Sequence, residues 1–172
     1  MVSVRHLLTR ARYRTQQYAK GIRPHLSPEE AAKARAMLTP PELALFLAMQ
    51  RRDQRHSLDL FHALVAEHAP QTSLVAALLH DVGKGELHDW QRIVFVLIEA
   101  VRPGLGRALE AEGGAGWRDA LWRLRHHARI GAERLAGLGT QARVIELVAG
   151  HTSVPPADDP EAARFVEWDS RT

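Results

Sequence analysis

The chain contains no cysteine. Disulfides, iron–sulfur clusters and thiolate zinc sites are therefore excluded, and any metal must be held by histidine, carboxylate and water. Those ligands suit Fe, Mn, Co, Ni, Zn or Mg. Long hydrophobic runs are also missing: the longest, Ile93 to Val101, has Glu99 inside it and falls well short of the ~20 residues that span a bilayer. With no secretory apolar segment visible, a soluble cytoplasmic protein is the expectation. Alternating strand patterns, internal repeats and low-complexity segments do not occur, so nothing competes with a helical reading.

Acidic residues are absent from the first 22 positions. Residues 1–35 carry eight Lys/Arg against two Glu, and with a net charge of +3 for the whole chain the remainder is slightly acidic. Arg5, Arg10, Arg12, Arg14 and Lys20 alternate with Val4, Leu8, Ala11, Tyr18 and Ile22 at helical spacing. Such a basic helical arm is open to several readings: a helix docked on the domain, a contact for nucleic acid or an anionic membrane, or a cleavable presequence. It could equally close a homodimer.

What is present is a succession of helix signals. Ser27-Pro28-Glu29-Glu30 and Thr39-Pro40-Pro41-Glu42 both read as capping boxes with proline in the first turn. They open helices near 28–38 and 40–52, followed by one over 54–68 that Pro70 stops. The segment 72–81 is apolar nearly all round, as a central bundle helix is. Further helices are expected near 88–101, 103–112, 117–137, 141–150 and 159–169, separated by Gly and Pro. At 172 residues the chain is long enough to bury a real core. The expectation is an all-α, compact multi-helix bundle over 39–172, preceded by a basic arm and lead-in helix over 1–38.

The central helix runs into Leu78-Leu79-His80-Asp81-Val82-Gly83-Lys84. Burying His beside Asp at an apolar helix end is costly unless something pairs with them, and a divalent metal would. His88-Asp89 is a second such pair, but it precedes an amphipathic helix, where either residue can serve as a cap. Periodicity brings further ligands to the same side. Ala120, Leu124, His127, Gly131 and Leu135 lie on one helical face, so His127 points inward while His126 lies on the flank. Val144, Val148 and His151 form another such row, as do Ala162, Phe165, Val166 and Asp169, and His56 precedes Leu60 and Leu64. His56, His80, Asp81, His127, His151 and Asp169 would suffice for two metals bridged by Asp81, whereas His56, His80, Asp81 and Asp169 alone would make a one-metal site. His6, His25, His62 and His68 read as surface or structural.

The ordered set His56, His80-Asp81 and Asp169 resembles the HD-domain superfamily of metal-dependent phosphohydrolases over roughly residues 50–170. His127-Ala128-Arg129-Ile130-Gly131-Ala132 and Gly150-His151-Thr152 are similar to the two additional histidine motifs of its dinuclear branches. Glu167-Trp168-Asp169-Ser170 looks like a looser version of the terminal Ala-Asp motif. The residues after the doublet lack the Glu-Asp of alarmone hydrolases and the extra His of deoxynucleoside-triphosphate hydrolases, and no Gly-Tyr-Pro motif of the cyclic di-GMP branch occurs. Spacing from His127 to Asp169 is most similar to bacterial HD-type hydrolases of symmetrical diadenosine tetraphosphate, with an added stretch from Glu86 to Gly116.

The resemblance implies hydrolysis of a phosphate ester or anhydride, of a nucleotide or dinucleotide, by a metal-activated water. One or two divalent ions are implied, Fe or Mn first, with Mg, Co, Ni or Zn as alternatives. Asp81 would act in catalysis as the bridging carboxylate and as acceptor of the water's proton. Lys84 would assist as a point charge on a phosphate oxygen, unless it only compensates the helix C-terminus. Arg55 and His126, each beside a ligand, are candidates for substrate contact. The alternative is a catalytically inert HD-type module that binds a nucleotide or a metal for regulation.

Overall fold

Capping chemistry sets where the chain starts to coil. In the computed structural model, which describes residues 27–172 apart from Ala115, the Glu30 carboxylate accepts from the Ser27 N–H while the Ser27 hydroxyl accepts from the Glu30 N–H. Helix α1 then runs Pro28–Met37. At the second box Glu42 accepts from both the N–H and the hydroxyl of Thr39, and α2 runs Pro40–Ala48. The basic arm expected over residues 1–22, with His6 and His25, lies outside the described residues.

The next break differs from the expected one. A helix to residue 52 and a restart at 54 were the reading, but α2 ends at Ala48, Met49 and Gln50 are extended, and α3 occupies Arg51–Ala66. The cause is Gln54. Its side-chain amide lies 3.2, 3.0 and 3.0 Å from the carbonyls of Phe46, Leu47 and Met49 at the corner where α2 ends, the first of which also accepts from the Met49 N–H at 3.2 Å. A buried glutamine one turn into α3 thus terminates α2.

Helix α4 spans Gln71–Leu79 and buries Ser73, Val75, Ala76, Ala77, Leu78 and Leu79, as expected of a central element. It packs against α3 on one side and α8, Ala142–Gly150, on the other. The long α7, Trp117–Gly137, lies against α8, and α9, Pro160–Asp169, closes over α3. One apolar cluster joins these helices with α1 and α2, through Phe46, Leu58, Leu60, Leu64, Leu78, Leu79, Leu135, Val144, Val148 and Phe165.

The stretch from Glu86 to Gly116 forms α5, Asp89–Val101, and α6, Pro103–Leu109. These are appended to α7 with a small cluster of their own, Leu87, Ala120 and Leu124, against which Phe95 packs. Helix α6 ends three residues earlier than the segment 103–112 expected for it. Among the described residues there are nine helices and no strand, and no helix is long and apolar enough to cross a membrane.

Candidate metal centre

Helix ends deliver His80, His151 and Asp169, while His56 and His127 project from within α3 and α7. His80 is the C-terminal cap of α4, and the following turn is closed by Val82 N–H to Leu79 O and Lys84 N–H to Asp81 O, both 3.1 Å. Gly83 lets that turn rest on α7: a Cβ there would lie 2.0 Å from the His127 carbonyl oxygen. Gly85, at φ +62°, takes the left-handed conformation that carries the chain away. Arg123 donates to the carbonyls of Lys84 and Glu86, at 2.7 and 3.0 Å, and Arg134 to that of Val82 at 2.7 Å. The loop after the doublet is therefore clamped to α7 at both ends.

Around this loop the structure brings together all six residues expected as ligands. His56 Nε2 lies 3.0 Å from Asp169 Oδ1, and His80 Nε2 lies 3.4 Å from the same oxygen and 3.5 Å from Asp81 Oδ2. His127 Nε2 is 3.5 Å from Asp81 Oδ1 and 3.1 Å from His151 Nε2. Two three-residue groups able to hold an ion, His56/His80/Asp169 and His80/Asp81/His151, share His80. His80, Asp81, His127 and His151 are buried, whereas His56, Asp169 and Lys84 are only partly so and mark the open side.

Tautomers follow from backbone contacts. The Nδ1 atoms of His80, His127 and His151 lie 2.9, 2.8 and 2.7 Å from the carbonyls of Ala77, Leu124 and Val148. A carbonyl only accepts, so each Nδ1 carries the proton and each Nε2 of a neutral ring presents a lone pair to the centre. The His127 and His151 lone pairs then face one another with no hydrogen between them. His80 Nε2 and Asp81 Oδ1 are buried and have no hydrogen-bond partner among the described residues. This is the donor set of a cation site, with each ring fixed from behind by a backbone oxygen.

The charges agree. Burial opposes ionisation of His80, but Asp81 and Asp169 outweigh it and raise its pKa to about 9. Burial and then the Lys84 charge lower His127 to about 3, and burial and then His80 lower His151 to about 4. Both rings are neutral at physiological pH and available as ligands. Burial opposes the Asp81 and Asp169 charges as well, yet His80 and its neighbours hold both carboxyls well below the usual range.

Lys84 is at the centre, its ammonium 2.5 Å from Asp81 Oδ2 and 4.0 Å from Asp53 Oδ1. Asp53 is buried and held by both terminal nitrogens of Arg92, which also reaches Gln50. Sequence reasoning missed Asp53, Arg92 and Gln50, because a first-turn aspartate reads as a cap and its partners lie about forty residues away. The two proposed substrate contacts do not join the group. The Arg55 guanidinium is engaged by Glu30 and Asp59, and the His126 ring packs on Trp122 with its Nε2 3.5 Å from Glu110. His88-Asp89 serves as a helix start: the Gln91 side chain accepts from the His88 N–H at the head of α5.

An all-α domain that gathers histidines and aspartates from five helices about one centre able to hold a cation has the architecture of a metal-binding helical domain. Comparison with protein families matches residues 13–171 to the HD domain, and the chain belongs to that family. HD domains bind divalent metals and are in general metal-dependent hydrolases, although some are non-catalytic. No match is found among curated proteins or solved structures.

Proposed function

We propose that the protein is a metal-dependent phosphohydrolase acting on a phosphate ester or anhydride of a nucleotide or dinucleotide. The observation that carries this reading is the convergence of three backbone-tethered imidazoles, all with Nε2 inward, on Asp81 and Asp169. His56, His80 and Asp169 would hold one ion; His127, His151 and Asp81 would hold a second, with Asp81 between the two. Bound divalent ions in such a shell polarise phosphate oxygens and lower the pKa of water. Asp81 Oδ1, buried and unpartnered, accepts the proton released by the attacking water. Lys84, at the mouth of the centre, neutralises charge that develops on a phosphate oxygen. Asp53 and Arg92 keep the Lys84 ammonium over Asp81 rather than extended into solvent.

One contact favours the second reading, an inert nucleotide- or metal-binding module. Lys84 occupies Asp81 Oδ2, an oxygen that a bridging carboxylate would use. The two readings separate on metal content and turnover measured together. After anaerobic loading with Fe or Mn, the first expects two ions per chain and release of a phosphorylated product from a panel of nucleotides, symmetrical dinucleotides and cyclic dinucleotides. His127→Ala should retain one ion and Asp81→Ala none. Tight nucleotide binding without product under every metal would establish the inert module instead.

A further inference from the structure

The longest apolar run of the chain lies on α5, yet Gln91 is the only buried residue of that helix. Its inner side is held largely by polar contacts: Arg92 to Asp53 and Gln50, and Glu99 to Arg125, with Phe95 beneath the Arg125 guanidinium. Its outer side carries Trp90, Ile93, Leu97 and Val101 at helical spacing, exposed by 50, 48, 57 and 76 %, continued on α6 by Leu105 at 44 %. Among the described residues nothing covers this stripe, and an exposed apolar patch of this composition is of the kind that serves for docking.

We infer that the α5 stripe is a homodimer interface, in which α5 packs antiparallel on α5 of a second copy. The occupant is argued from the order of the residues. About a twofold axis passing between Phe95 and Val96, Trp90 of one copy faces Val101 of the other, and Val94 faces Leu97, so large and small apolar groups alternate across the seam. At each end Asp89 of one copy comes opposite Arg102 of the other. Both are exposed and of opposite charge, Asp89 with Arg52 of its own copy 3.5 Å away, and each helix N-terminus lies beside its partner's C-terminus. A parallel arrangement would instead stack Trp90 on Trp90 and Asp89 on Asp89. The seam therefore complements itself in one orientation.

Sedimentation of the full chain over a concentration series tests this. The wild type should dimerise, and Leu97→Asp should raise the dissociation constant by roughly a hundredfold, because two apolar contacts are lost and two charges enter the seam. Since Leu97 is exposed in the monomer, circular dichroism should be unchanged. Asp89→Arg and Arg102→Asp should each weaken the dimer, and the double variant should restore it. A wild type that stays monomeric at the highest attainable concentration overturns the inference. So does a dimer indifferent to Leu97→Asp, which would be held by the basic arm or another face, and so does a double variant no better than either single one.

Discussion

At the scale of single residues, His126 and His127 are neighbours with opposite surroundings. His127 is buried between Asp81 and His151, while His126 lies partly exposed on Trp122. His127→Ala should lose one of two bound ions together with hydrolysis, and His126→Ala should keep both ions and activity within about twofold, as single surface substitutions commonly do. Metal analysis beside a phosphate-release assay decides it. The inward row that ends at His127 is legible from helical periodicity, and so is the distinction between His80-Asp81 and His88-Asp89. Nothing local marks Asp53, whose role depends on an arginine from the appended helix.

Arg55 also belongs at this scale. Burial opposes ionisation of Glu30, but the Ser27 N–H and Arg55 outweigh it and hold the carboxyl at about 2 against its ordinary 4.5. A carboxyl depressed by folding stabilises the folded state above its unfolded pKa and ceases to do so as pH falls through its folded value. The contribution of Glu30 is therefore complete at neutral pH and declines between pH 4.5 and about 2. Denaturant titrations should find Glu30→Gln less stable than wild type at pH 7, with the gap closing toward pH 2.

At the scale of elements, two joints matter, one at the centre and one at the α2–α3 corner. Gly83 touches the backbone of α7, and Gly131 sits opposite with Val82 and Val148 at 3.4 and 3.3 Å from its would-be Cβ. Gly83→Ala must push the loop away from His127; a cost of about 1–3 kcal/mol, the range for overpacked sites, is expected, together with loss of metal. Gly131→Ala meets two side-chain methyls closely and the Gly83 nitrogen only at an ordinary contact distance of 3.5 Å, and should be milder, which differential melting of the two variants will test. The other joint is Gln54. Replacing it by Leu removes the donor of the Leu47 and Met49 carbonyls at the α2–α3 corner and should cost about 1–3 kcal/mol by denaturation, without change in metal content. Prolines and capping boxes made the starts of α1 and α2 readable in the sequence. The end of α2 was not, because the residue that terminates it lies inside the next helix and acts through its side chain.

At the scale of the whole molecule, five helices meet at one cluster of donors, so filling the centre and holding the bundle together are linked. A metal at about a hundredfold excess over its dissociation constant adds about 2.7 kcal/mol to a fold that binds it only when folded. Chelation should lower the melting temperature of the loaded wild type by several degrees and leave that of Asp81→Ala unchanged; calorimetry with and without chelator reads both.

The tethers behind the rings have a further consequence. His80, His127 and His151 are each held by a carbonyl three residues earlier on their own helix, so each ring is oriented by the coiling of its own segment rather than by the other ligands. Orientation is thus prefabricated piece by piece, and the entropy of aiming the rings is lost when the helices form, before any ion arrives. What remains for tertiary assembly to decide is spacing. Discrimination among ions of different radius then resides in how far apart the helices stand, and so in the glycine contact between the doublet loop and α7.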